Sequence, residues 1–95
     1  MPVEDYDLIR TIALTDVEVL KEKGKTYGDS WKKRGGVGAF MMLARKWDRL
    51  ENMTRARQYD VFALEASALE EIQDLRAYLL LVEAEWRSLH MDAEN

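Results

Sequence analysis

Residues 60–89, DVFALEASALEEIQDLRAYLLLVEAEWRSL, decide the fold that this sequence predicts. Apolar side chains recur every three to four residues along the stretch, which is the spacing of one face of an α-helix. Asp60 belongs to the residue types that cap helix N-termini, so we expect a single helix from about Asp60 to about Leu89. A helix of about 30 residues extends about 45 Å. Its predicted core stripe comprises Leu64, Ala68, Leu75, Tyr78, Val82, Trp86 and Leu89.

A helix of that length predicts an oligomer. A compact chain of 95 residues has a radius of gyration of only about 12 Å, so the helix must extend beyond its own domain. Residues 79–82 are apolar nearly all round, and a helix of that kind is normally buried. We therefore expect copies of the chain to associate through the long C-terminal helix, most simply as a two-fold dimer.

Two further helices precede this one. Periodicity predicts the first over about residues 5–23, closed by Gly24, and the second over about residues 39–53. The only proline is Pro2, so no later residue of that type interrupts a helix. The expected fold is all-α, with residues 1–95 forming a single domain in which three main helices make a bundle. The predicted core stripe of the second helix is Phe40, Leu43, Ala44, Trp47 and Leu50.

The composition excludes several classes of protein. The chain has no cysteine, so it has neither disulfides nor a thiolate metal site. Its one histidine, His90, lies near the C-terminus, which argues against a Ser–His–Asp catalytic set. No apolar run reaches the ~18 residues of a membrane span, and no signal peptide is recognisable. We therefore expect a cytoplasmic protein without a membrane partner.

The net charge of −4 is unevenly distributed along the chain. Residues 21–57 carry 11 Lys and Arg against 4 Asp and Glu, whereas residues 58–95 carry 2 against 9. A basic middle segment is typical of a site for phosphates, but it also fits charge complementarity between helices or subunits. Nucleic-acid binding is not expected, because the chain as a whole would repel the phosphate backbone.

Residues 24–38 are predicted to form a glycine-rich loop that holds all five glycines of the chain. Lys32, Lys33 and Arg34 lead from it into the second helix, whose N-terminus favours an anion. The loop is therefore a candidate phosphate site, with a mobile basic loop as the alternative. Tyr27 and Trp31 flank the basic run and either stack on a base or cover the core.

Four carboxylates are predicted to lie in or beside apolar stripes. Asp48 and Glu51 share one face of the second helix, and Glu71 and Asp74 share one face of the third. Carboxylates that converge between two helices repel each other unless a cation separates them, and Mg²⁺ or Mn²⁺ prefers oxygen ligands. The alternative is a set of structural ion pairs with neighbouring basic residues. Those residues are Arg45, Lys46, Arg49 and Arg76, and Asp16 is a further acid in an apolar stripe.

Three segments carry a family resemblance. Residues 27–31 (YGDSW), 36–51 (GVGAFMMLARKWDRLE) and 74–85 (DLRAYLLLVEAE) resemble the small phage and prophage proteins of the nucleotide-modification-associated domain family. More distantly, Asp48-x-x-Glu51, nineteen residues, then Glu71-x-x-Asp74 is similar to the Glu-x-x-Glu and Glu-x-x-Asp motif of MazG-like all-α nucleoside triphosphate pyrophosphatases. The first motif position is Asp here instead of Glu. This resemblance implies a Mg²⁺-binding oligomer that cleaves nucleotides between the α- and β-phosphates, in the host cytoplasm if the chain is phage-encoded.

These patterns leave three hypotheses. In the first, the protein is a Mg²⁺-dependent nucleoside triphosphate pyrophosphatase in which Glu51, Glu71 and Asp74 hold the metal, with Asp48 acting through water. Lys32, Lys33, Arg34 and Lys46 then neutralise the phosphates. In the second, the protein binds and sequesters a nucleotide without hydrolysing it. In the third, it is a structural homo-oligomer whose acids and bases form ion pairs.

Overall fold

The computed structural model describes residues 5–91, and within that range all regular structure is helical. Helix α1 spans Asp5–Tyr27, α2 spans Gly35–Arg55 and α3 spans Leu69–Met91. The all-α class and the number of main helices are therefore confirmed. Three single 3₁₀ turns lie between the helices, at Ser30–Lys32, Val61–Ala63 and Ala66–Ala68.

The chain divides into two compact units, with the boundary between Ser30 and Trp31. The first unit contains α1, which continues through Gly24 instead of ending there. Gly28 adopts the left-handed conformation with φ 56°, and its N–H donates to the Gly24 carbonyl at 3.0 Å. A glycine does terminate α1, as the sequence rule states, but it is Gly28 and not the predicted Gly24.

In the second unit, α2 begins four residues before the predicted start. Gly35 has φ 73°, a conformation that glycine adopts at little cost, and the chain enters the helix there. Gly36 and Gly38 lie inside α2, so the prediction of one loop over residues 24–38 is wrong. A Cβ on Gly38 would lie 2.7 Å from the Arg34 Cβ, so the missing side chain permits this tight entry.

Helix α3 begins nine residues after the predicted start at Asp60. Asp60 does act as a cap, but of a 3₁₀ turn: its carboxylate accepts a hydrogen bond from the Phe62 N–H at 3.1 Å. Leu64 and Glu65 are then extended, and a helix cannot run through them. Arg57 bridges this segment, with its Nη2 2.7 Å from Glu65 Oε1. The 23 residues of α3 extend only about 34 Å, which removes the length argument for an oligomer.

Helices α2 and α3 pack against each other in antiparallel orientation. The apolar residues buried in this hairpin and its turns are few and mostly small, namely Ala39, Leu50, Ala68 and Ala77. The predicted core stripes are partly wrong, because Phe40 is 66% exposed and Leu89 71% exposed. One face of α2 carries the buried Ala39 and Leu50, while an adjoining face carries Phe40 and Trp47, both more than half-exposed. Apolar periodicity alone does not distinguish these faces.

Candidate functional site

Two ion pairs join the middle of α2 to α3. Lys46 Nζ lies 3.2 Å from Asp74 Oδ2, and Arg49 Nη2 lies 3.0 Å from Glu71 Oε1. Arg49 follows Lys46 by three positions on α2, and its partner Glu71 precedes Asp74 by three positions on α3, as antiparallel packing requires. Lys46 Nζ also lies 5.8 Å from the centre of the Tyr78 ring, within cation–π range. The structural ion pairs that the sequence offered as an alternative to a metal are therefore present.

Glu71 is the most deeply buried acid of this group, with 7% of its surface exposed. Arg49 contacts only one of its carboxylate oxygens, and the other, Oε2, is buried without a hydrogen-bond partner among the described residues. A buried polar atom without a partner is costly. Glu71 Oε2 therefore retains the capacity to accept one more donor or to contact a cation.

The other two predicted ligands, Glu51 and Asp48, have different surroundings. Glu51 is half-buried, with Oε1 3.8 Å from Arg55 Nη2 on the same helix. The hydrogen bond that Arg55 donates to the Tyr59 hydroxyl raises the pKa of the Arg55 guanidinium, and Glu51 raises it further. Asp48 is exposed. Among residues 5–91, no three acidic or histidine side chains are arranged to hold a metal ion. Within the described part of one chain the four predicted ligands are therefore not gathered into a metal site, and the magnesium assignment stays a prediction.

A pocket of about 310 Å³ opens where the start of α2 meets the end of α3. Its walls are mainly apolar and include three aromatic rings, those of Trp31, Phe40 and Trp86. Gly35 and Gly36 form part of the wall and leave space where other residues would place side chains. The remaining lining residues are Lys32, Ala39, Leu43, Val82, Glu85 and Leu89.

One ion pair supplies the charged groups of this pocket. Lys32 Nζ lies 2.8 Å from Glu85 Oε1, and about a third of each side chain is exposed. Lys32 Nζ also lies 6.0 Å from the centre of the Trp31 ring. Because no side chain caps α2 at Arg34, the first backbone N–H groups of that helix are left for another acceptor. The pocket therefore combines aromatic surface with a cation, an anion and a helix N-terminus.

Trp86 is held in place by His90, for which the sequence suggested no role. The two rings stack with their centres 4.2 Å apart and their planes 14° from parallel. His90 Nδ1 lies 2.8 Å from the Trp86 carbonyl oxygen, one helical turn away. The stack orients the indole that forms one wall of the pocket.

The structure brings together only part of the predicted substrate site. Trp31 and Lys32 line the pocket, Lys33 and Arg34 follow them in the chain as exposed residues, and Lys46 belongs to the ion pairs further along α2. Tyr27 ends α1, and its side chain lies outside the described part of the structure. Sequence reasoning missed Phe40, Glu85, Trp86 and Leu89 as site residues, and only the pairing of α2 with α3 brings them to the pocket.

Comparison with family models, with curated proteins and with solved structures gives no match to this chain. The class that the fold and the pocket define is therefore an all-α chain with an aromatic, partly charged pocket at one end of a helical hairpin. None of the described helices combines the length and the apolar character needed to span a membrane. Asp16, the acid noted in the first helix, is buried.

Proposed function

We propose that this protein binds a nucleotide in the aromatic pocket and retains it without chemical conversion. Ligand pockets in proteins have volumes of roughly 300–1,000 Å³, so a pocket of about 310 Å³ suits a single base or nucleoside. Aromatic side chains stack on bases with a gain of about 1–3 kcal/mol per base. Trp31, Phe40 and Trp86 supply such surfaces.

The phosphate of this nucleotide would lie at the N-terminus of α2. That end carries uncapped backbone N–H groups and the positive end of the helix dipole, and both favour an anion. Lys33 and Arg34 are exposed immediately before the helix, and Lys32 lies in the pocket wall. The basic middle of the sequence is then explained as a phosphate site.

The observation that carries the proposal is that aromatic rings, a lysine and a helix N-terminus meet at one pocket. The proposal is limited to binding because the carboxylates expected to hold a catalytic metal form ion pairs with basic side chains. Asp74, Glu71 and Glu51 contact Lys46, Arg49 and Arg55 respectively. These ion pairs neutralise the charges that would otherwise call for a cation in the single chain.

Isothermal titration calorimetry tests this function. We expect nucleoside mono- and triphosphates to bind with and without Mg²⁺, and we expect no pyrophosphate release. Trp86→Leu should weaken binding by about five- to 160-fold, because one aromatic contact of about 1–3 kcal/mol is removed. Trp47→Leu is the matched control, since Trp47 is also a half-exposed tryptophan of the hairpin but does not line the pocket. Equal loss in both variants, or no heat with any nucleotide, contradicts the proposal.

A second candidate is Mg²⁺-dependent hydrolysis of a nucleoside triphosphate, and the unpartnered oxygen Glu71 Oε2 favours it. In that case a second copy would have to supply the carboxylates that one chain does not bring together. Pyrophosphate release that requires Mg²⁺ or Mn²⁺ and disappears in Glu71→Gln supports this candidate. If Glu71→Gln is more stable and still binds nucleotide, the assignment of Glu71 to a metal is wrong.

We further propose that the protein works as a homo-oligomer, a dimer or a tetramer, in the cytoplasm. On α3, Leu69, Leu79 and Leu80 are exposed, and α2 exposes Val37 and Met41. A contiguous apolar surface typically marks a protein interface, and these are the side chains that we expect such an interface to cover. Light scattering coupled to size exclusion should show an oligomer that Leu80→Glu dissociates and that Gln73→Glu, an exposed polar site on α3, leaves intact. A monomeric wild-type protein would contradict this.

A further inference from the structure

We propose that Glu85 makes the aromatic pocket selective for guanine over adenine, an inference that rests on the proposed nucleotide-binding function. Among residues 5–91, Glu85 is the one acidic residue that lines the pocket. A carboxylate in an apolar, aromatic wall loses part of its hydration, which apolar packing alone does not compensate. Its chemistry is that of an acceptor without donors. The pocket therefore favours a base that presents donors.

Lys32 orients this carboxylate. Lys32 Nζ contacts Glu85 Oε1 at 2.8 Å, which fixes one oxygen and supplies an opposite charge. Lys32 donates to Oε1, so a ligand in the pocket would donate to Oε2. Lys32 Nζ also lies near the Trp31 ring, so Lys32 contacts both the Glu85 carboxylate and one aromatic wall of the pocket.

Among the common bases, guanine matches this acceptor best. Its Watson–Crick edge carries two adjacent donors, N1–H and the N2 amino group, and a carboxylate can accept from both. Adenine presents its N6 amino group beside the N1 lone pair, which a carboxylate repels. Base-edge contacts of the bidentate kind discriminate by roughly ten- to hundredfold. We expect the lower part of this range, because Glu85 is one-third exposed and shares an oxygen with Lys32.

The test is a calorimetric comparison of GMP, IMP and AMP, supported by tryptophan emission, since two of the three tryptophans line the pocket. We expect GMP to bind about tenfold more tightly than AMP. IMP, which keeps N1–H but lacks the N2 amino group, should fall between them. Glu85→Gln should bring GMP and AMP to within threefold of each other, because the amide offers a weaker acceptor and a competing donor.

Two further variants complete the design. Glu83→Gln makes the same charge change two positions away, at an exposed residue that pairs with Arg87, and should keep the guanine preference. Glu85→Asp keeps the charge but shortens the side chain, and should also reduce the preference for guanine. This variant carries the test if Glu85→Gln does not fold. Equal binding of GMP and AMP to the wild type, or selectivity retained in both Glu85 variants, overturns the role of Glu85 and leaves nucleotide binding standing. Absence of binding by all three nucleotides overturns both.

Discussion

Replacing Arg49 by Leu should destabilise the hairpin far more than replacing its partner Glu71 by Leu. The Glu71 side chain is 10% exposed and that of Arg49 is 60% exposed, so the two ends of this ion pair lie in different environments. Arg49→Leu leaves a buried carboxylate that already has one unpartnered oxygen. Glu71→Leu instead leaves an arginine that water can solvate.

The magnitude follows from those exposures. Removing one partner of a fully buried pair costs about 3–5 kcal/mol, whereas an exposed pair is worth about 0–1 kcal/mol. Because water reaches Arg49, we expect Arg49→Leu to lower the free energy of unfolding by about 2 kcal/mol. For a chain of this size that lowers Tm by roughly 8–16 °C. Glu71→Leu should be neutral or stabilising, because it removes a buried charge and fills its volume with apolar atoms.

Urea denaturation followed by circular dichroism, at one fixed protein concentration, measures both changes. Arg87→Leu is the control, because its pair with Glu83 is exposed at both ends and should contribute less than about 0.5 kcal/mol. The reasoning is refuted if Arg49→Leu costs no more than the control, or if Glu71→Leu costs as much as Arg49→Leu.

Further predictions concern the turns. Gly35→Ala should lower the free energy of unfolding by about 1 kcal/mol, because it forces a side chain onto a backbone with φ 73°. Gly36→Ala should instead stabilise α2 by up to about 1 kcal/mol, since nothing lies within 4 Å of the added Cβ. Thermal melting of the two variants should therefore shift in opposite directions, and shifts of equal sign would contradict the assigned backbone. Asp60→Ala should cost about 1 kcal/mol through loss of the bond to the Phe62 N–H, and Phe62→Ser should change stability by less than about 0.5 kcal/mol because Phe62 is 96% exposed. A large effect at Phe62 would show that another chain covers it.

The helical class could be predicted because it depends on local properties. The sequence shows a single proline, at position 2, and apolar residues at a period of three to four, and the described residues form the helices that this pattern predicts. Helix ends were less predictable where two residues compete for the same role. Gly24 and Gly28 are both plausible helix terminators, and the backbone uses Gly28. Asp60 is a good cap for either an α-helix or a 3₁₀ turn.

The candidate site could be predicted only in part because it is assembled from distant segments. Lys32 was recognisable from its basic neighbours, but its partner Glu85 lies 53 residues away and depends on how α2 pairs with α3. The four predicted metal ligands show the opposite case. Their spacing suggested that they converge. In the structure, Arg49 contacts Glu71 across the two helices, and Arg55 contacts Glu51 on the same helix. The magnesium assignment stays a prediction.

The two ion pairs between α2 and α3 also fix how far one helix can slide along the other. If α3 moved by about one turn, the two pairs could no longer both form, because only one of the two cations would still meet a carboxylate. Only the observed alignment places Phe40 opposite Trp86 at the far end. Substitutions at these pairs can therefore alter ligand affinity at a distance, by shifting one wall of the pocket past the other while every residue that touches the ligand stays the same.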